Sequence, residues 1–392
     1  MKCLIFALIF FAFTALPGFS QNYIPSSGGS SVPITGEYPV DPTLLKNTRE
    51  AFGKVRAGSG NAFVFCLGDS ITAGLQLTGT NPTYNFSPPA ELRKLLNSYA
   101  IPSAEWISFP VGASGLQPAD SRWSGVASGS TNWSVVGTLG PGDGFGVSAS
   151  PSTTAPLAFT PGYTIDTIAV YYFTDPSLGS LTVNVDGGSS LGTINSATTH
   201  GIASQSFSCS RGTHTINVVT DGTHTNYVLG IWAYDSTTPA VMICDGGVNG
   251  SKAIAWSDNS DTQKSLPAIA TLAPNLVIVD LVANDVTTPT PIATYQSQMQ
   301  SIFTAISAYS DILVIAGTPA DLTYYTNTNL ATELAYGALL QSMSAGSYGF
   351  INQFNRWISY PSAYSYSMYA DGIHPSNIGA TDKALTEFNA IK

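Results

Sequence analysis

The sequence predicts an α/β fold: a three-layer α/β/α sandwich on a parallel sheet, interrupted by an inserted antiparallel β-sandwich. Apolar runs at residues 63–67, 240–244, 276–282 and 312–316 read as strands buried on both faces. Helical periodicity separates the later runs, and strands alternating with helices imply parallel pairing. Between residues 115 and 238 the pattern changes to short alternating runs, punctuated by turn pairs such as Asp186-Gly187 and Asp221-Gly222, and no helix interrupts them.

Taken in order, residues 1–20 carry one early lysine, Lys2, then an apolar run and Pro17-Gly18-Phe19-Ser20, the pattern of a cleavable signal peptide. Export follows from it, and no second long apolar segment predicts a membrane span in the mature chain. Residues 21–40, rich in Ser, Gly and Pro, read as a flexible tether. The first part of the α/β domain, 41–114, opens with an Asp41-Pro42 cap and a helix marked by Leu44, Leu45, Thr48, Phe52 and Val55. The strand at 63–67 follows, then a turn and the start of a helix, a further helix over 89–99 and a strand over 106–111. Within the insertion, 115–238, strands are expected at 164–173, 180–185, 213–219 and 226–234. The second part, 239–392, supplies three more core strands, a helix marked by Ile292, Tyr295, Met299, Ile302, Phe303 and Ile306, another over 330–343, a last strand from 350 and a closing helix.

Composition narrows the function. Only 10% of residues are charged and the net charge is −10, with no basic cluster, which argues against nucleic acid or anionic lipid as a partner. Cys66 and Cys244 fall in core strands and read as buried thiols, with a disulfide between neighbouring strands as the alternative; Cys209 stands apart. No pair of Cys or His has metal-ligand spacing, and no cofactor is called for.

The chemistry centres on Gly68-Asp69-Ser70. A serine on a tight turn at the carboxyl end of a central strand sits where open α/β sheets place their ligand crevice. Far along the chain, Asp371-Gly372-Ile373-His374 offers a carboxylate and an imidazole three residues apart. His374 is the only plausible base, because His200, His214 and His224 all fall in the β insertion.

With Gly246-Gly247-Val248-Asn249-Gly250-Ser251 and Val282-Ala283-Asn284-Asp285 between them, these blocks follow the order found in SGNH (GDSL-type) serine hydrolases, which the chain resembles. It departs from that family at Val282, where members carry glycine. The resemblance implies a flavodoxin-like parallel sheet, with Ser70 as nucleophile, His374 as base and Asp371 as its orienting carboxylate. It also implies an oxyanion hole from the Ser70 and Gly250 N–H groups and the Asn284 amide. Gly112-Ala113-Ser114-Gly115 competes for the glycine block, but Gly246 to Ser251 matches the family pattern better. Asp69 and Asp285 are expected to hold loops.

The function expected is that of an exported serine esterase, acting through an acyl-enzyme on a small-molecule or polysaccharide ester, with O-acetyl removal from a carbohydrate as the leading substrate. Alternatives are a carbohydrate-binding or adhesive protein with a degenerate hydrolase domain, which Val282 favours, and a short-chain lipase or thioesterase. The insertion could offer aromatic platforms to sugars. Trp123 and Trp133, in a Ser/Gly-rich stretch, are expected exposed, and Trp232, Tyr171 and Tyr172 in core. Oligomeric state is left open.

Overall fold

The computed structural model describes residues 40–75, 85–110, 120–126 and 132–392. The signal peptide and, except for Val40, the tether expected from the sequence lie outside these residues.

Six parallel strands form the central sheet. Their spatial order is Gly349–Ile351, Asp311–Ile315, Leu276–Asp280, Ala62–Gly68, Val241–Gly247 and Ser103–Glu105. Alternation along each strand sends side chains to two opposite cores. On one face Val64, Cys66, Ile243 and Ile278 pack with Phe52, Leu92, Leu96 and Phe388, which belong to the helices Lys46–Arg56, Pro88–Ser98 and Asn377–Ile391. On the other, Phe65, Leu67, Cys244 and Val279 pack with Trp256, Met299, Phe303 and Leu340. The result is the three-layer arrangement expected. Cys66 and Cys244 are free thiols on opposite faces of the sheet, so no disulfide can join them.

The chain enters at Ala62–Gly68, crosses to the far edge at Ser103–Glu105, returns beside its first strand at Val241–Gly247 and then continues on the other side. Strand order therefore reverses around Ala62–Gly68. Such a reversal opens a crevice beyond the carboxyl ends of the strands, and Ser70 lies two residues past this one.

The strand expected at 106–111 begins earlier and divides. Ser103–Glu105 pairs with Val241–Gly247 in the parallel sheet, whereas Ile107–Ser108 pairs with Asn226–Tyr234 of the insertion. One stretch thus serves two sheets. Arg122 fastens the crossing by donating to both Glu105 oxygens at 2.5 and 2.8 Å and to Asp120. Their mutual pairing offsets the desolvation of all three groups and holds the Glu105 carboxyl below its usual range against its burial.

The insertion is two antiparallel sheets, ordered Ser190–Asn195, Ser180–Val185, Ile216–Thr220, Leu157–Phe159, Trp123–Ser124 and Gly201–Gly212, Ile165–Thr174, Asn226–Tyr234, Val147–Ala149, Trp133–Val135. Tyr172, Val228, Val183 and Ile216 fill the space between them. The outer face of the second sheet is partly covered, though Ser204, Ser206 and Ser208 on it are exposed. Phe173 and Leu229 there join Trp106, Phe109 and Trp256 in the α/β core, with Tyr171 and Trp232 packed against them. Contrary to expectation, Trp123 and Trp133 are buried: Trp123 stacks on Phe159 at 4.5 Å and Trp133 donates to the Ala155 carbonyl at 3.0 Å. Their Ser/Gly-rich flanks suggested exposure, but strand pairing turns both indoles into the sandwich.

A histidine clasp joins the insertion to the α/β body. His200 Nδ1 lies 2.9 Å from Asp175 and Nε2 2.9 Å from Asp261. The hydrogen bonds to Asp261, then to Asp175, raise the His200 pKa above its ordinary value. Stability from the clasp is therefore fully present below about pH 6.5, the unfolded histidine value, and is lost as pH rises through the folded pKa. NMR titration of His200 should give a midpoint above about 6.5 that falls when salt is raised, because the site is exposed. A midpoint at or below that of a free histidine would mean the clasp is open in solution.

Candidate active site

Glycines shape the nucleophile turn. A Cβ on Gly68 would lie 1.9 Å from Thr72 Oγ1, and one on Gly247 would lie 2.1 Å from the Ala73 nitrogen. Only bare backbone lets the neighbouring strand end and the turn come this close. The segment after Ser70 makes one turn, closed by Ala73 N–H to Asp69 O at 3.0 Å and Leu75 N–H to Ser70 O at 2.9 Å. The helix expected directly after it is that single turn in the described residues; the next described helix starts at Pro88.

Ser70, His374 and Asp371 meet. His374 Nε2 is 3.0 Å from Ser70 Oγ, and His374 Nδ1 is 2.8 Å from Asp371 Oδ2. The other Asp371 oxygen accepts the N–H groups of Ile373 at 2.8 Å and His374 at 2.7 Å. Burial pushes the Asp371 carboxyl up, but these bonds outweigh it and hold the group below its usual range. The loop carrying both residues is pinned from three sides. Ala370 N–H donates to His374 O, Asp321 N–H to Gly372 O at 2.8 Å, and the Tyr360 hydroxyl to Asp371 O at 3.1 Å.

Gly250 follows the strand adjacent to the nucleophile strand, past a Val248 whose N–H bonds Gly68 O at 3.1 Å. Its φ of +72° favours glycine. Among the described residues, neither the Ser70 nor the Gly250 N–H has an acceptor, so both donors remain available. The competing Gly112 to Gly115 stretch lies outside the described residues.

Asn284 is different. Its amide nitrogen donates to Asp69 Oδ2 at 3.2 Å and to Ser251 O at 3.0 Å, which uses both of its hydrogens. Serving an oxyanion would require exchanging one of these bonds, and the longer one, to Asp69, is the weaker tether. Asp69 also accepts Ile71 N–H at 2.8 Å, while burial and the Asp280 carboxylate push its pKa up. Asp285 accepts Ala253 N–H at 2.9 Å and the Thr290 hydroxyl at 2.5 Å. Both aspartates hold loops in this arrangement.

Val282, the departure from the family pattern, has φ −126° and ψ −43°. Its side chain lies against Gly317, where a Cβ would come within 2.9 Å of it, so the bulk at 282 is matched by a missing side chain at 317.

Sequence reading missed the apolar patch beside Ser70, His374 and Asp371. Ile71, Ala283 and Ile373, each adjacent in the chain to Ser70, Asn284 or His374, gather with Tyr325. It also missed Lys383, whose Nζ is 2.8 Å from Asp280 Oδ2 beneath the turn. Neither had a local signal, because the partners are scattered along the chain.

No family model and no curated protein matches the chain. Solved structures do. A lipase/acylhydrolase from Enterococcus faecalis is 16% identical, over 38% of this chain and 74% of that one, with a TM-score of 0.31. A member of the lipolytic protein G-D-S-L family from Veillonella parvula is 12% identical, over 37% and 78%, with a TM-score of 0.30. A family 6 carbohydrate-binding module is 20% identical, over 27% and 85%, with a TM-score of 0.22.

Proposed function

We propose that this protein is an exported serine esterase that cleaves carboxylic esters through an acyl-enzyme, with O-acetyl groups on a carbohydrate as its substrate. The observation that carries the reading is the continuous hydrogen-bonded line from Ser70 Oγ through His374 to Asp371, next to two unused N–H groups.

In this reading Ser70 Oγ attacks the acyl carbon while His374 Nε2 takes its proton. Asp371 keeps the other ring proton on Nδ1 and stabilises the imidazolium. The Ser70 and Gly250 N–H groups receive the charge that develops on the acyl oxygen, a contribution of about 3 kcal/mol per donor. Collapse expels the alcohol, which takes the proton from His374. Water then attacks the acyl carbon as its proton passes to the same nitrogen; collapse breaks the bond to Ser70 Oγ, which takes that proton back from His374, and the acid leaves. The carbohydrate preference is supported by the scarcity of charge, 10% of residues, and of basic residues, 14 Lys and Arg in all.

An active-serine phosphonate provides the test. Covalent labelling of the wild type and none of Ser70→Ala supports the esterase. Absence of labelling on both would favour a binding protein with an idle site.

A further inference from the structure

We propose that Tyr324 and Tyr364, each packed on a tyrosine that borders the Asp371–His374 loop, form a stacking subsite for the neutral sugar that bears the acyl group. This rests on the esterase reading above and extends it from the reacting atoms to the leaving group.

Both rings are bare. Tyr324 is 74% exposed and Tyr364 56%, whereas the aromatic residues of the sandwich face are packed against the α/β core. Both are also held in place. Tyr324 meets Tyr325 edge-on at 4.9 Å, and Tyr325 belongs to the patch with Ile71, Ala283 and Ile373. Tyr364 stacks on Tyr360 at 5.5 Å, and Tyr360 bonds the Asp371 carbonyl. The Tyr324 segment contacts the catalytic loop itself, since a Cβ on Gly372 would lie 3.7 Å from Tyr324 Cβ and 3.5 Å from the Tyr325 ring. Each exposed ring is thus one tyrosine removed from the loop that carries His374.

Charge selects the occupant. Residues 318–330 and 358–376 contain no Lys or Arg, and their charged groups are Asp321, Asp371 and whatever proton His374 carries. An anionic headgroup or a uronic acid would find no cation here. A pyranose offers a flat C–H face to the ring and hydroxyls to the rim, and an aromatic surface with a polar tip accepts both.

The test compares ethyl acetate, whose alcohol has no ring, with O-acetylated xylan and mannan oligosaccharides, using wild type, Tyr324→Ala and Tyr364→Ala. For at least one glycan, each substitution should lower the ratio of glycan to ethyl acetate kcat/KM by about tenfold, mainly through KM, as expected for one lost stacking contact. An unchanged ratio in both variants overturns the subsite. So does hydrolysis of ethyl acetate with no glycan turned over, or a loss seen only on tributyrin or phosphatidylcholine vesicles, which would make the tyrosines a lipid contact. Failure of the wild type on every ester, ethyl acetate included, would instead strike the esterase reading.

Discussion

Replacing Asp371 with Asn should reduce kcat on an acetyl ester by on the order of 10⁴-fold while leaving the fold intact. The hydrogen bonds dictate why. One carboxylate oxygen accepts two backbone N–H groups, from Ile373 and His374, so the single oxygen of an asparagine must stay there. Its NH2 then faces His374 Nδ1, where the carboxylate stood at 2.8 Å. A donor at that position fixes the ring with its proton on Nε2, pointing an N–H at Ser70 instead of a lone pair. The imidazole can no longer take the serine proton. His374→Ala removes the base outright and should cost at least as much, and the double variant should be no worse than the worse single one, because the groups act as a unit. Steady-state kinetics on ethyl acetate with melting curves for each variant would check this. A loss within tenfold for Asp371→Asn, or multiplicative losses in the double variant, would show that this line of hydrogen bonds does not carry the reaction.

The parts of this site that were legible in the sequence share a physical trait: each is announced by its immediate neighbours. Ser70 follows an uncharged strand that ends in Gly68, and His374 sits three residues from its carboxylate in a loop closed by Pro375. Local rules suffice there. The sandwich was harder to read. Gly201–Gly212, its longest strand, places Ala203, Phe207 and Cys209 in the core with serines between them, but Gln205 interrupts that row and its small residues make the alternation faint, so pairing with Ile165–Thr174 is what defines it. Trp123 and Trp133 misled for the same reason, since their burial depends on partners such as Phe159 and Ala155 that their own flanks do not reveal. The tyrosine rim was invisible too. Tyr324 and Tyr364 come near the loop at 371–374 only through folding, by way of Tyr325 and Tyr360.

The buried cation beneath the nucleophile turn shows the same dependence on long-range pairing, with a large expected effect. Lys383 and Asp280 are separated by 103 residues, yet their side chains are 1% and 8% exposed and 2.8 Å apart. Asp280 ends the strand beside Gly68 and is level with it in register. Two further buried carboxyls, Asp69 and Glu387, feel the same lysine. Burial pushes the Glu387 pKa up to about 8, with Lys383 pulling it down. Lys383→Met therefore removes the cation from a cluster of acids that water cannot reach, and should destabilise the protein by about 3–5 kcal/mol. Its melting temperature should drop by on the order of 10 °C. Lys383→Met combined with Asp280→Asn removes the charge left behind, so the pair should recover much of that loss, whereas two independent defects would add. Denaturant unfolding of the single and double variants separates the cases. If Lys383→Met alone costs under about 1 kcal/mol, the ion pair is not what holds the floor of the site together.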